Sequence, residues 1–251
     1  MHRYFIPSLN ASGNKITITD KSQIHHLKNV LRLDAGEKVV LCDGQGNELK
    51  AEIEQISPAG IRLIIRDKIA VKPDRLNFTI ACAIPKKSKF DDILDKLTQL
   101  GVERVIPLKT EHTVIKLTRD KEGARHGRWV KIAISASQQS QRSILPRVDP
   151  LTDVKELIKN SAEFDLKLIP TLKGEYKTLK DALNLILPIP LPLPVNILIL
   201  IGPEGDFSLK EVSLALKHGF IPVSLGRRVL RVETAAIAVA SFLMFLGESK
   251  F

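Results

Sequence analysis

The residues best suited to chemistry lie between positions 202 and 234. Gly202-Pro203-Glu204-Gly205-Asp206-Phe207 follows the apolar run Ile197–Ile201, and Gly226 follows Pro222–Leu225. After Gly226 comes Arg227-Arg228-Val229-Leu230-Arg231-Val232-Glu233-Thr234. A glycine at a strand end either turns the chain or lets a ligand reach backbone amides and carbonyls. In a parallel sheet, ligands bind outside the carboxyl ends of the strands, so both loops are candidate walls of one crevice. Arg227, Arg228, Arg231 and Glu233 abut an almost wholly apolar segment, Ala235–Leu246. Charges crowded against a core element are costly unless they are paired or functional. Neither loop is a phosphate cradle: GPEG is not GxxxxGK[ST], and no GxGxxG opens a helix. His25-His26 has no third ligand nearby, which favours local packing over metal binding, and no metal is expected.

The elements that must position these loops follow from periodicity. Over residues 1–70, short alternating runs (Lys15–Thr19, Lys38–Cys42, Leu49 to Ile56, Ile61–Ile65) are separated by turn signals at Asp43–Asn47 and Ser57–Gly60. A helical turn or two, His25–Arg32, interrupts them. This pattern predicts a small β-barrel, with Val71–Asp74 as a linker. From Leu76 the rhythm becomes strand–helix alternation, the signature of a parallel α/β sheet. Strands are predicted at Phe78–Ile84, Val105–Leu108, Leu166–Pro170, Asn196–Ile201 and Pro222–Leu225. Helices are predicted from Phe90 to Leu100, from about Arg128 to Gln141, from Ser208 to His218 and over Ala235–Leu246, with a polar stretch at 109–127. Ser208 with Glu211 forms a capping box. The prolines of Leu187–Pro194 predict a rigid surface connection.

The chain has 251 residues, 38 Lys+Arg against 28 Asp+Glu, and a net charge of +10. Residues 1–72 hold 11 basic and 8 acidic side chains, 73–150 hold 15 and 9, and 151–251 hold 12 and 11. The excess therefore sits in the middle third, which suits a polyanion surface or a solvated basic face. The composition excludes wholesale disorder, and two isolated cysteines, Cys42 and Cys82, exclude a disulfide framework. The opening MHRYFIPSLN lacks an apolar signal core, and Ala235–Leu246 is too short to span a bilayer. A cytoplasmic protein without a membrane segment is expected.

IGPEGDFS, GF, and VSLGRRVLRVETAAIA together resemble the C-terminal signature of SPOUT (trefoil-knot) methyltransferases. The closest resemblance is to the branch that methylates N3 of a uridine in 16S ribosomal RNA. His25-His26-Leu27 with Val30-Leu31-Arg32, Asp34-Ala35-Gly36 and Asp43-Gly44 is similar to that branch's PUA-like N-terminal module. Lys96–Val102 with Pro107, and Gln139–Arg142 with Pro146, are similar to its middle motifs, so the likeness covers essentially the whole chain. Departures occur at Asp206, where the family has Gly, at Gln99 and Ser135, where it has Glu, and at His112, where it has Arg.

The resemblance implies an α/β fold: a C-terminal SPOUT domain with a trefoil knot over 73–251, preceded by a small PUA-like β-barrel that binds RNA over 1–72. It implies S-adenosylmethionine as cofactor, held by Thr171, Leu172, Ile201, Gly202, Glu204, Gly205, Leu225, Gly226 and Leu230. It also implies a homodimer acting on 16S rRNA or the small ribosomal subunit, the apolar last helix serving either the interface or the monomer core. Uracil N3 is a poor nucleophile until its proton leaves. Arg231 is the candidate to stabilise the developing anion, and Glu233 or Glu204 the candidate to accept the proton. Glu233 is equally placed to pair with a neighbouring arginine, and Glu204 to make a structural loop contact. Arg3, Arg32, Lys86, Arg142 and Arg147 are candidate phosphate contacts, and Tyr4 and Phe5 could stack on bases unless they enter the core. Two alternatives share these features: a SPOUT ribose 2′-O-methyltransferase acting on tRNA or rRNA, and a non-catalytic RNA-binding assembly factor.

Overall fold

The computed structural model describes residues 2–6, 13–30, 32–71, 76–85, 89–113, 119–172, 174–184 and 194–248. The chain divides into two compact units, Met1–Pro73 with Ser137–Leu145, and Asp74–Ala136 with Pro146–Phe251.

The first unit is built on a five-stranded sheet of β1 (His2–Phe5), β2 (Lys15–Ile18), β3 (Lys38–Cys42), β4 (Asn47–Ser57) and β5 (Gly60–Ala70). The strand order is β1-β3-β4-β5-β2, with β1 parallel to β3 and the other pairs antiparallel. A short helix, α1 (Lys21–His25), runs into a π-helical turn at His26–Val30. Alternation does what the sequence predicts: Ile16 and Ile18, Leu49, Ala51 and Ile53, and Ile61, Leu63 and Ile65 point into one core with Leu27 and Leu33. The β3–β4 turn is fastened by Asp43, whose Oδ1 accepts from the amides of Gln45 (2.7 Å) and Asn47 (3.0 Å). Among the described residues β1 and β2 end the sheet unpaired with each other. Tyr4 and Phe5 are both buried, so neither offers a ring for base stacking. Ser137–Leu145 belongs to this unit through contacts such as the Leu145 amide donating to the Gly44 carbonyl at 2.9 Å.

The second unit holds eight strands: β6 (Leu76–Ala83), β7 (Arg104–Lys109), β8 (Arg147–Val148), β9 (Thr152–Asp153), β10 (Leu166–Pro170), β11 (Lys177–Thr178), β12 (Val195–Ile201) and β13 (Ile221–Ser224). Its helices are α2 (Lys89–Gln99), α3 (Arg119–Gln139, whose end lies in the first unit), α4 (Val154–Lys159), α5 (Leu179–Leu183), α6 (Leu209–Lys217) and α7 (Val232–Glu248). The order is β11-β13-β10-β12-β6-β7-β8 with β9 beside β7, and every pairing is parallel. Both faces are covered. Ile197, Ile199 and Ile201 pack with α2 and α7, whereas Leu198 and Leu200 pack with α4 and α6. Such two-sided burial explains why β12 reads as an unbroken apolar run.

Helix α3 begins at Arg119, well before the predicted Arg128. Its early turns are polar and contain Gly123 and Gly127, and among its described side chains only Trp129, Ala133, Ala136 and Ser137 are buried, a stripe too narrow to mark the helix in advance. The predicted proline-rich connection falls at 187–194, of which 187–193 lie outside the described residues. Among the described residues no helix is long and apolar enough to cross a membrane.

Candidate active site

Because β13, β10 and β12 are adjacent and parallel, their carboxyl ends meet at one sheet edge. The register pairs Leu168 with Ile199 and Pro170 with Val223, so the loops after Pro170, Ile201 and Ser224 are neighbours. They enclose a cavity of about 210 Å³. Eight of the nine predicted cofactor residues line it: Thr171, Leu172, Ile201, Gly202, Glu204, Leu225, Gly226 and Leu230. Gly205 does not; its Cα faces His112 instead, with His112 Nδ1 3.6 Å from where a Cβ would stand. Tyr176, Asp206, Arg227, Arg228 and Val229 also line it. Tyr176 carried no signal beyond being one of two tyrosines, because its placement depends on β11 joining the sheet beside β13.

The two lining glycines are required for different reasons. A Cβ on Gly202 would lie 3.0 Å from Phe207 Cε2 and 3.1 Å from Cδ2, and Phe207 is wholly buried. Gly202 is therefore a packing requirement beneath the loop rather than an opening toward a ligand. Gly226 has φ +113°, and a Cβ there would meet nothing within 4 Å. That conformation is nearly confined to glycine, and it leaves the backbone bare beside the cavity.

Asp206 holds the loops together. Its Oδ2 accepts from Thr171 Oγ1 and from the Leu172 amide, both at 3.1 Å. Its Oδ1 accepts from the Phe207 amide at 2.7 Å, and its carbonyl is 2.8 Å from His112 Nδ1. Just beyond, the predicted capping box is present, with the Ser208 amide donating to Glu211 Oε2 at 2.7 Å. The other oxygen of the fully buried Glu211 accepts from the Glu111 amide at 2.9 Å.

Neither proposed catalytic side chain lines the cavity. Arg231 is exposed, and Glu233 accepts from Lys89 Nζ at 2.6 Å. Glu233 is therefore paired with Lys89 at the start of α2 and not with a neighbouring arginine; Arg231 acts on it only through its charge. The Lys89 hydrogen bond outweighs partial burial and, with the charges of Lys89 and Arg231, holds the Glu233 carboxyl below the usual carboxylate range. A carboxylate so stabilised is a weak proton acceptor. Beneath the site, burial pushes the Cys82 thiol far up, with the Glu233 and Glu204 charges adding to it, so this thiol stays protonated.

The RNA candidates separate. Arg3 is committed internally: its guanidinium pairs with Glu48 and reaches Ser143, leaving the Arg3 side chain 15% exposed. That weighs against the phosphate contact expected of it, because its charge is already matched by Glu48 and the side chain is largely withdrawn from solvent. Arg32 is exposed, with φ 53°, beside Lys28 and Asn29 at a hollow on the first unit. Arg147 is exposed while its Nε stays 2.8 Å from Asp149. Arg142 is half-buried, and Lys86 lies outside the described residues. His25 Nδ1 is hydrogen-bonded to Asn29 Nδ2 at 2.8 Å. Among the described residues no three His, Cys, Asp or Glu side chains converge as a metal site.

Comparison with known proteins places this geometry. The model of an RNA methyltransferase domain matches residues 72–244, and that of an RNA methyltransferase PUA domain matches 18–66. Ribosomal RNA small subunit methyltransferase E of Synechocystis is 33% identical over 93% of this chain and 74% of its own length. The protein of that name from Bacillus subtilis is 29% identical over 99% of this chain and 98% of its own. A methyltransferase structure from Legionella pneumophila with bound SAM aligns with a TM-score of 0.83 and 31% identity, covering 98% of this chain and 97% of that one. The Neisseria gonorrhoeae ribosomal RNA small subunit methyltransferase E bound to S-adenosyl methionine gives 0.84 and 28%, covering 98% of each chain. With a family model spanning most of its length and a relative one-third identical across 93% of it, the chain belongs to the RNA methyltransferase family.

Proposed function

We propose that this protein is an S-adenosylmethionine-dependent methyltransferase that modifies N3 of one uridine in 16S ribosomal RNA of the small subunit. The observation that carries the reading is the cavity where the loops after β10, β12 and β13 meet, walled by backbone, apolar side chains, the acidic residues Glu204 and Asp206 and the basic residues Arg227 and Arg228. This donor set fits the cofactor. A sulfonium cation with an ammonium tail suits Glu204, an adenine suits Ile201, Leu225 and Leu230 with exposed backbone at Gly226, and the absence of phosphate explains a cleft without a Walker lysine.

When bound, the cofactor supplies an electrophilic methyl group. The chain's own task is to align the acceptor and to meet the charge that develops as N3 loses its proton. Arg227 and Arg228 line the cleft and Arg231 follows three residues on, so this arginine run is the source of anion stabilisation. Glu233, held ionised by Lys89, places a negative charge near Arg231. Residues 1–72 grip the RNA through Arg32, Arg142 and Arg147 are further phosphate contacts, and 73–251 carry the transfer. The insertion of β13 between β10 and β11 supports a C-terminal trefoil knot. Phe242 and Phe245, large apolar side chains exposed on α7, support a homodimer. Two buried free thiols, Cys42 and Cys82, agree with a reducing cytoplasm.

Nucleoside mass spectrometry after incubation with small subunits and with naked 16S rRNA tests the reading. 3-Methyluridine is the expected product. 2′-O-methyl product would replace the acceptor assignment, and no product with no cofactor binding would indicate an assembly factor. In single-turnover assays Arg231→Ala and Arg228→Ala should slow transfer more than they weaken cofactor binding.

A further inference from the structure

We infer that Asp206 is a positioning residue that pre-assembles the cofactor cleft, an inference that rests on the reading of that cleft as the S-adenosylmethionine site. Three independent strand-end loops converge on this one residue. The loop after β7 reaches it through His112 Nδ1, 2.8 Å from the Asp206 carbonyl. The loop after β10 reaches it through Thr171 Oγ1 and the Leu172 amide, both donating to Oδ2 at 3.1 Å. The loop after β12 is its own, closed by the Asp206 amide donating to Pro203 at 2.9 Å and by the Phe207 amide donating to Oδ1 at 2.7 Å.

The backbone of Asp206 carries a cost that this arrangement explains. Its φ is +60°, one of three positive values at non-glycine positions among the described residues. Aspartate tolerates the left-handed region better than most residues, but glycine would occupy it freely. A carboxylate at a glycine-type position is useful when its oxygens do something glycine cannot, and here they bind donors from two different loops. Leu172 is 64% exposed and follows directly on Thr171, so that loop has little apolar burial of its own to hold it. Thr171, Leu172, Glu204 and Asp206 all line the cavity. Fixing them before the ligand arrives removes an ordering cost that binding would otherwise bear.

Two substitutions separate positioning from charge. Asp206→Gly keeps the backbone conformation and deletes every side-chain bond. Asp206→Asn keeps one acceptor oxygen and tolerance of positive φ, but removes the negative charge. Calorimetry with S-adenosylmethionine and with S-adenosylhomocysteine, which lacks the sulfonium charge, is the measurement, with single-turnover methylation as the second readout. Asp206→Gly should weaken both ligands alike, by roughly tenfold. It should raise KM for the cofactor more than it lowers kcat, and Asp206→Asn should recover part of the loss. Unchanged affinity in Asp206→Gly would overturn the inference. A loss equal in both variants, whether confined to S-adenosylmethionine or shared by S-adenosylhomocysteine through its ammonium, would overturn it too, assigning Asp206 to charge attraction instead. Failure of the unmutated protein to bind either ligand would remove the cofactor reading and this inference together.

Discussion

Replacing Gly202 with alanine tests the claim that this glycine serves packing. The added methyl would sit 3.0 and 3.1 Å from two ring carbons of Phe207, closer than ordinary carbon–carbon contact. Phe207 is 0% exposed among Ile106, Leu108, Leu200 and Val212, so the ring has no free volume to retreat into. Overpacking of this kind costs about 2 kcal/mol. For a chain of this size that lowers the melting temperature by roughly 4–8 °C. The single tryptophan, Trp129, is 1% exposed and reports the transition by fluorescence. Part of the strain should be relieved by outward movement of the loop carrying Glu204, weakening cofactor binding roughly three- to tenfold. Phe207→Leu alone leaves a cavity costing about 1 kcal/mol, but combined with Gly202→Ala it should restore stability, giving a coupling near 1 kcal/mol or more. Gly226→Ala is the control. Its strain, about 1–3 kcal/mol, comes from backbone torsion at φ +113°, and no neighbouring truncation should relieve it. Wild-type melting and affinity in Gly202→Ala, or strict additivity in the double variant, would refute the packing argument.

Further outcomes are expected elsewhere. Lys89→Met should raise the Glu233 pKa toward the ordinary carboxylate value, because the hydrogen bond that depresses it is gone. A depressed carboxylate contributes stability that is present at neutral pH and lost as pH falls through its folded pKa, so the acid limb of the stability profile should move to higher pH and become shallower. Arg3→Ala should destabilise the protein by about 3 kcal/mol, since it strands a Glu48 side chain only 10% exposed, while the salt dependence of RNA binding stays unchanged. Burial pushes the Glu48 carboxyl up, but hydrogen bonds from Ser143 and Arg3 hold it below the usual range, so this contribution also disappears on acidification. Ser208→Ala should cost about 1 kcal/mol as a lost cap. Glu211→Ala should cost more by chemical denaturation, since it strips acceptors from the amides of Ser208 and Glu111. Arg32→Ala should weaken RNA binding and reduce its salt slope by about one, measured between roughly 50 and 200 mM salt.

Local rules reach far in this chain. The Ser208–Glu211 box is visible because its two members lie three residues apart on one helical turn, and the structure builds it as read. The β3–β4 turn is equally local, because Asp43 bonds amides two and four residues on. Eight of the nine residues expected at the cofactor do line the cavity, an expectation that came from glycine-bearing loops at the ends of apolar strands together with the family resemblance. Distance in sequence is where legibility stops. Lys89 and Glu233 are 144 residues apart, Arg3 and Ser143 are 140 apart, and His112 and Asp206 are 94 apart. No spacing rule relates such pairs.

The amino-acid sequence by itself determined the α/β class, the strand-end loops, the helix caps and the sign and location of the excess charge. Each depends on neighbours within a turn or a strand, where periodicity and side-chain chemistry act directly. Only the tertiary structure decided which charges are spent and which residues are held. Parallel pairing of β13, β10 and β12 set three remote loops side by side, turning Gly202 into a packing requirement and Asp206 into the point where those loops are joined. The same long-range packing withdrew Arg3 from solvent and gave Glu233 a lysine partner, because a partly buried charge must find its counter-ion wherever the fold places one.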